Sequence, residues 1–321
     1  MLKYLGCAAV AATMTVTTAY AEQWDLAAAY PASNPITAET IRFAEKVGEA
    51  TGGELTIVVH PSASLLPLAQ IKRGVQTGDV EAGEIILVAL ENEDPIYGLD
   101  NVPFVVTGID DARKLWDASR PMLEERFAKQ GMRLIYAAPW PPQGLYTPRP
   151  VEKVEDLAGL KFRSYGPSAA RFGELLNLPV PNVAFAELSE ALATGRVDAM
   201  MTSAQTGVDA HVWETPLKYF YDLQAWIPKS GVFVNEEAFQ KLTPETQKTV
   251  LDLAAEAEAA TWERVVTLSD ETKKTLAEHG MTVAEPSAGL AEGLRKVGLD
   301  LVAAWEERAD EETRALLAPF K

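Results

Sequence analysis

The sequence predicts an α/β protein of two similar lobes. Three observations carry this prediction. Strand-like and helix-like patterns alternate along the chain, one helix-to-strand device occurs twice, and one helical pattern is too long for a single lobe.

Trp24 to Ala29 reads as a first strand. Thr37 to Ala50 follows as an amphipathic helix, with Ile41, Phe43, Ala44 and Val47 on or near one side. Gly52 and Gly53 stop it, and Glu54 to His60 reads as a second strand. Such strand–helix–strand alternation argues a mostly parallel sheet.

The repeated device is Gly-Val-Gln-Thr-Gly-Asp-Val-Glu-Ala at 74–82 and Ala-Leu-Ala-Thr-Gly-Arg-Val-Asp-Ala at 191–199. Each is a helix end, a glycine suited to the C′ position, then valine and an acid entering an apolar strand. The strands are expected at Ala82–Leu90 and Val197–Met201. Two distant copies of one αβ connection suggest two lobes of like build.

The long helix is expected from Thr243, which can cap, through Pro244 at the first helical position, to His279 before Gly280. At 1.5 Å per residue it would span about 54 Å, so it should brace both lobes or bend at their junction.

The N-terminus reads as an export signal over residues 1–21. Lys3 supplies the positive end, Leu5 to Val16 is small and apolar, and Ala19-Tyr20-Ala21 fits small-x-small cleavage. The run is too short for a membrane span. The only cysteine, Cys7, lies inside this segment, so the mature chain lacks disulfides, cysteine metal sites and thiol nucleophiles. A periplasmic location follows. The net charge of −17 becomes −18 when Lys3 is removed, which disfavours nucleic acid and anionic membranes as partners. It also means that capture of an anion must be local.

The site is expected around Asp156-Leu-Ala-Gly-Leu-Lys-Phe-Arg-Ser-Tyr-Gly-Pro167. Leu160–Ser164 reads as a short strand that turns into a helix, with Arg163 at its carboxyl end. Ligands of open α/β sheets bind outside the carboxyl ends of strands, and an arginine there offers a planar fork matched to a carboxylate. Phe162 and Arg163 should point to opposite faces. Thr202 and Ser203, after a strand and before a helix, could bind an anion or simply cap. Trp140, Gln143 and Tyr146 lie in a Pro-rich crossing stretch, and Tyr165 and Phe185 follow other strand or loop ends. An aromatic-lined pocket of this kind suits an apolar or aromatic monocarboxylate. Glu91, Glu93 and Asp94 read as a solvated turn before Pro95 rather than a cation site.

No cofactor or metal is implied. His60, His211 and His279 are scattered, and the chain has no His-Glu-x-x-His, Gly-x-Ser-x-Gly, phosphate loop or Gly-x-Gly-x-x-Gly. If the chain were instead a periplasmic lyase or dehydratase on this scaffold, Glu91, Glu187 or Asp198 would have to serve as acid or base. A third reading is a sensor subunit that passes a ligand-closed shape to a receptor.

Four ordered stretches resemble one family, the DctP solute-binding proteins of tripartite ATP-independent periplasmic (TRAP) transporters. Tyr30-Pro-Ala-Ser-Asn-Pro35 with Phe43-Ala-Glu, Thr51-Gly-Gly-Glu-Leu and Pro61 is similar to its N-terminal signature. Asn101-Val-Pro-Phe104 resembles its Leu-Pro-Phe loop. Val154 to Arg163 resembles its central motif, and Leu188 to Met201 its Ala-Leu-x-Thr-Gly-x-Val-Asp segment. The resemblance implies two α/β lobes joined by crossing strands, a long bracing helix, and delivery of an enclosed organic acid to TRAP membrane subunits without direct membrane insertion by this chain. It gives Arg163 the ligand carboxylate. It adds Tyr30 and Asn34 to a candidate ligand-binding set of Arg163, Thr202, Ser203, Trp140, Gln143, Tyr146, Tyr165 and Phe185. The lobes would comprise 22–145 plus about 233–275, and 146–232 plus about 276–321. Thr202 stands where many members place an asparagine. Leu145 stands near the second arginine of sugar-acid binders, so recognition of a dicarboxylate or sialic acid would lack that residue.

Overall fold

The computed structural model describes residues 21–321, so the expected export signal lies almost wholly outside the described residues. Two five-stranded sheets organise the chain. The first runs in the order β2-β1-β3-β9-β4, from β1 (Glu22–Ala28), β2 (Leu55–His60), β3 (Ala82–Ile86), β4 (Met132–Pro139) and β9 (Lys229–Asn235). The second runs β10-β8-β5-β7-β6, from β5 (Gln143–Thr147), β6 (Phe162–Arg163), β7 (Ala199–Ser203), β8 (Tyr219–Tyr221) and β10 (Thr282–Ala284). The chain crosses between sheets through residues 140–142 and 222–228, near the boundaries suggested at 145 and 233.

Parallel pairing dominates where helices intervene. β1 pairs parallel with β2 and β3 across α1 (Pro35–Ala50) and α2 (Leu68–Thr77). The returning strand β9 lies antiparallel between β3 and β4. In the second sheet, β6 and β7 run parallel around α4 (Pro167–Leu175) and α5 (Leu188–Ala193), whereas β5 is antiparallel to β7 and β8. α3 (Ile109–Ala128) covers the first sheet. α6 (Ala204–Asp209) follows β7, and α7 (Glu236–Lys241) follows β9.

The long helix is α8, Pro244–Glu278, 35 residues capped by Thr243, whose side chain accepts from Thr246 N–H. Its first half buries Val250, Ala254, Ala257 and Trp262 in the core of the first sheet. Leu276, near its end, joins the core of the second. It therefore packs on both lobes, along one side of the molecule. α9 (Ala288–Arg308) lays Leu290, Leu294 and Leu301 on the second lobe, and α10 (Glu311–Ala315) follows it. The last helical segments then return, since Trp305, Ala309 and Leu317 lie in the core of the first. Among the described residues no helix is long and apolar enough to cross a membrane.

Three strands differ from expectation. The strand expected at Ala82–Leu90 stops at Ile86, and Leu87–Leu90 forms a 3-10 turn. Ile86 pairs with Ser230, one residue from the start of β9; Pro228 beyond it has no N–H with which to extend the ladder. The strand expected at Leu160–Ser164 shrinks to Phe162–Arg163, because Leu160 N–H closes a turn onto Leu157 carbonyl (3.0 Å) and Ser164 makes only a single bridge, to Asn182. The strand expected at Val197–Met201 starts two residues later, since the Val197 and Asp198 amides are taken by Ala191 and Lys161.

Candidate functional site

The site grows from β6. Phe162 turns into the second lobe, 6.2 Å from the ring of Phe172, and Arg163 takes the opposite face. Arg163 is only 3% exposed, yet lines a cavity between the sheets. Its Nε donates to Val183 carbonyl (2.9 Å), and its guanidinium lies 5.3 Å from the Tyr165 ring centroid. Among the described residues neither terminal nitrogen has a hydrogen-bond acceptor, and no carboxylate forms an ion pair with it. Burial pulls this guanidinium down to about 10, opposed by Tyr30 and Tyr165, so it stays charged at neutral pH. A desolvated cation without a counterion is costly, and an incoming anion would remove that cost.

The cavity holds about 270 Å³. The first sheet and its connections contribute Tyr30, Pro67, Leu68, Ala69, Ile86, Trp140 and Pro228. The second contributes Gln143, Arg163, Tyr165, Asn182, Ala184, Phe185, Glu187, Thr202 and Thr206. Tyr30 meets Trp140 edge-on (centroids 4.7 Å) and tilts against Phe185 (5.4 Å), which makes an aromatic wall. Burial raises the Tyr30 hydroxyl well above its usual range and pushes Tyr165 up to about 12, so both remain neutral donors. Tyr165 hydroxyl donates to Gln143 Oε1 (3.3 Å) and accepts from Trp226 Nε1 (3.1 Å). Gln143 Nε2 donates to Pro141 carbonyl (2.8 Å), and Trp140 Nε1 to Ser230 Oγ (3.0 Å). Thr202 and Thr206 are joined through their hydroxyls (3.0 Å).

The start of α2 reaches this wall through an unusual turn. Ser62 and Ala63 both adopt left-handed backbone, at φ 60° and 55°. The turn is held where Ser62 N–H bonds Tyr30 carbonyl (2.7 Å) and Ala63 N–H bonds Ala28 carbonyl (2.9 Å).

Of the expected site residues, Arg163, Tyr30, Trp140, Gln143, Tyr165, Phe185 and Thr202 line the cavity. Three do not. Ser203 caps α6, accepting from Thr206 N–H (3.1 Å). Tyr146 is fully buried under α6, its hydroxyl 3.2 Å from Ser203 carbonyl; a Cβ on Gly207 would stand 2.2 Å from that hydroxyl, so α6 needs glycine there. Asn34 caps α1 and donates across the lobes to Asp209 Oδ2 (2.6 Å), whose other oxygen accepts from Gln205 (2.7 Å). Leu145 is buried inside the second lobe and does not face the cavity.

Sequence reasoning missed Asn182, Thr206 and the α2 start as wall residues. Pro67 just ahead of a periodic segment was a signal for the helix start, though not for its placement. The acidic trio does sit in a turn with Glu93 exposed, but its acids are held by partners. Glu91 is 2% exposed and bound by Ser168 and Arg308, Glu93 pairs with Lys72, and Asp94 pairs with Arg126 at 2.8 Å. Of the three acids considered for catalysis, only Glu187 lines the cavity, and Arg196 holds it at 2.8 Å. Among the described residues no three His, Cys, Asp or Glu side chains gather as a metal site. His211 and His279 instead stack on Trp213.

The sequence profile described as "Bacterial extracellular solute-binding protein, family 7" (DctP) matches residues 26–307. The DctP7 extracytoplasmic solute receptor of Bordetella pertussis, whose crystal structure binds pyroglutamic acid, superposes with TM-score 0.91 and 40% identity, covering 94% of this chain and 99% of that one. A marine metagenome TRAP solute-binding protein described as specific for pyroglutamate matches with TM-score 0.91 and 34% identity, covering 94% and 99%. A monocarboxylate 2-oxoacid-binding periplasmic protein of a Nostoc species is 24% identical over 90% of this chain and 80% of its own length.

Proposed function

Because the chain belongs to the bacterial extracellular solute-binding proteins of family 7, we propose that it is a TRAP solute receptor for a small cyclic monocarboxylate, with pyroglutamate as the leading candidate. The observation that carries the reading is Arg163, a buried guanidinium that has no counterion among the described residues and lines an aromatic cavity. Its planar fork would take the ligand carboxylate with two parallel bonds.

The size of the cavity supports a small guest. A volume of 270 Å³ falls just below the usual span of ligand pockets, about 300–1,000 Å³. Two receptors 34–40% identical to this chain bind pyroglutamate, which favours the same ligand class here. The polar atoms of Thr202, Thr206 and Asn182 suit a ring with its own hydrogen-bonding groups, more than the wholly apolar acid suggested by the aromatics alone. Relatives in the family are receptors, and the filled lobes would present the acid to TRAP membrane subunits outside the cytoplasm.

Calorimetry with pyroglutamate, gulonate and galacturonate tests the reading. Pyroglutamate should bind tightly in one-to-one ratio and the sugar acids weakly or not at all. Tight sugar-acid binding with no response to pyroglutamate would overturn it.

A further inference from the structure

The first turn of α2 faces the same cavity as Arg163, from the other lobe. Pro67, Leu68 and Ala69 all line it. Pro67 is the N-cap, brings no N–H of its own, and no side chain caps the helix. Gln70 N–H is taken by Pro67 carbonyl at 2.8 Å. The N–H groups of Leu68 and Ala69 have no intrahelical acceptor, and none is found elsewhere among the described residues. Independently, Arg163 is 3% exposed, lines the same cavity and has no partner for its terminal nitrogens among the described residues. α2 packs on the first sheet and Arg163 ends a strand of the second, so two residues with unpaired amides, Leu68 half-buried and Ala69 exposed, line the same cavity as Arg163 from the opposite lobe.

We propose that the Leu68 and Ala69 amides form a second anchor. They would bind an oxo or lactam carbonyl oxygen at the end of the ligand remote from its carboxylate. The inference rests on Arg163 holding that carboxylate, and it narrows the ligand class to small acids with a distal carbonyl. The positive end of the helix favours such an oxygen and disfavours an ammonium there. A guest with both acceptors ties the lobes together, and a guest with one does not.

Removal of a single N–H tests this. Leu68→Pro deletes one, and proline is accepted at a first helical position. Pro67 already sits at φ −58° and ψ 146°, which a following proline allows. Leu68→Ala keeps the N–H and controls for loss of the side chain. By calorimetry, pyroglutamate should bind Leu68→Pro about 10-fold more weakly than Leu68→Ala, the loss of roughly one hydrogen bond. Cyclopentanecarboxylate, which has the ring and carboxylate but no lactam, should bind the two variants within about 2-fold of each other. Should Leu68→Pro fail to fold, Pro67→Ser decides. Its hydroxyl would cap the Ala69 amide, leaving the helix intact while pyroglutamate affinity falls several-fold. Equal pyroglutamate affinity in Leu68→Pro and Leu68→Ala, or equal losses for both acids, would overturn the second anchor. Arg163→Ala losing both acids alike would uphold the carboxylate reading in that same result. Failure of native protein to bind pyroglutamate would overturn that reading and this inference together.

Discussion

Two buried cations sit in this molecule under opposite arrangements. Lys229, at the start of β9, is 1% exposed, and its Nζ lies 2.9 Å from Asp100 Oδ2. Burial holds the Asp100 carboxyl above its usual range, while Lys229 draws it back. Arg163 is nearly as hidden, 3% exposed, and has no carboxylate partner among the described residues. The chain carries 46 acidic residues, so acids are not scarce. Lys229 meets its charge partner Asp100, although its Nζ lacks a hydrogen bond of good geometry, and the pair serves the fold. The Arg163 charge has no such partner among the described residues. Buried charge is tolerated when answered, and a buried charge that the protein does not answer is where the proposed reading places the ligand.

The contrast is sharpest in stability. Lys229→Met should cost the ligand-free protein about 3–5 kcal/mol, because it leaves Asp100 buried and alone. Denaturant unfolding measures this, and the folded fraction should keep its pyroglutamate affinity. Arg163→Ala should do the reverse. Affinity should fall about 100-fold, or roughly 2.7 kcal/mol, with the ligand-free melting temperature unchanged or higher. Arg163→Lys should lose at least about 10-fold, since an ammonium cannot make the paired bonds. If the two sites respond alike in both assays, the division between structural and receptive charge is wrong.

A third buried charge refines the comparison. Glu84 is fully buried beneath α1, answered by the hydroxyls of Thr37 (2.7 Å) and Thr40 rather than by a cation. Burial raises its carboxyl above the ordinary range despite those bonds. In the pH window above the ordinary carboxyl value and below the raised one, the folded chain binds a proton that the unfolded chain has lost. Its contribution is therefore complete at low pH and fades as pH climbs through the raised value. Glu84→Gln should flatten that decline in a series of unfolding curves taken across the window. The smallest effect is expected at the contact between lobes. Asp209→Ala removes the bonds from Asn34 and Gln205 and should weaken pyroglutamate by about 3- to 5-fold, mainly as faster release in stopped-flow traces.

Arg163 was legible because its strand is short, its neighbour Phe162 is apolar, and alternation sends the two to opposite faces. The long helix was legible because Thr243, Pro244 and Gly280 punctuate it. Other features depended on partners distant in sequence. The early end of β3 is set by Pro228, about 140 residues downstream. Ser203, Tyr146 and Asn34 stand next to the cavity in sequence or space, and neighbours on α6 and α1 consume their polar atoms. The sequence placed these groups near the site without showing which way they turn. The α2 wall escaped notice because the donors are backbone amides, which no residue type advertises.

The 35-residue helix α8 is fastened to the first lobe by one half and to the second by its far end, and its interior contains neither glycine nor proline. It has no ready hinge. Parting the lobes must flex it like a leaf spring, spreading the bend over many peptide units. Such an element resists wide gaping and returns the molecule to rest without a latch. The work of opening would then depend on the stiffness of this rod as well as on the guest, and a glycine pair placed near its midpoint would soften the recoil while leaving the contacts to the guest untouched.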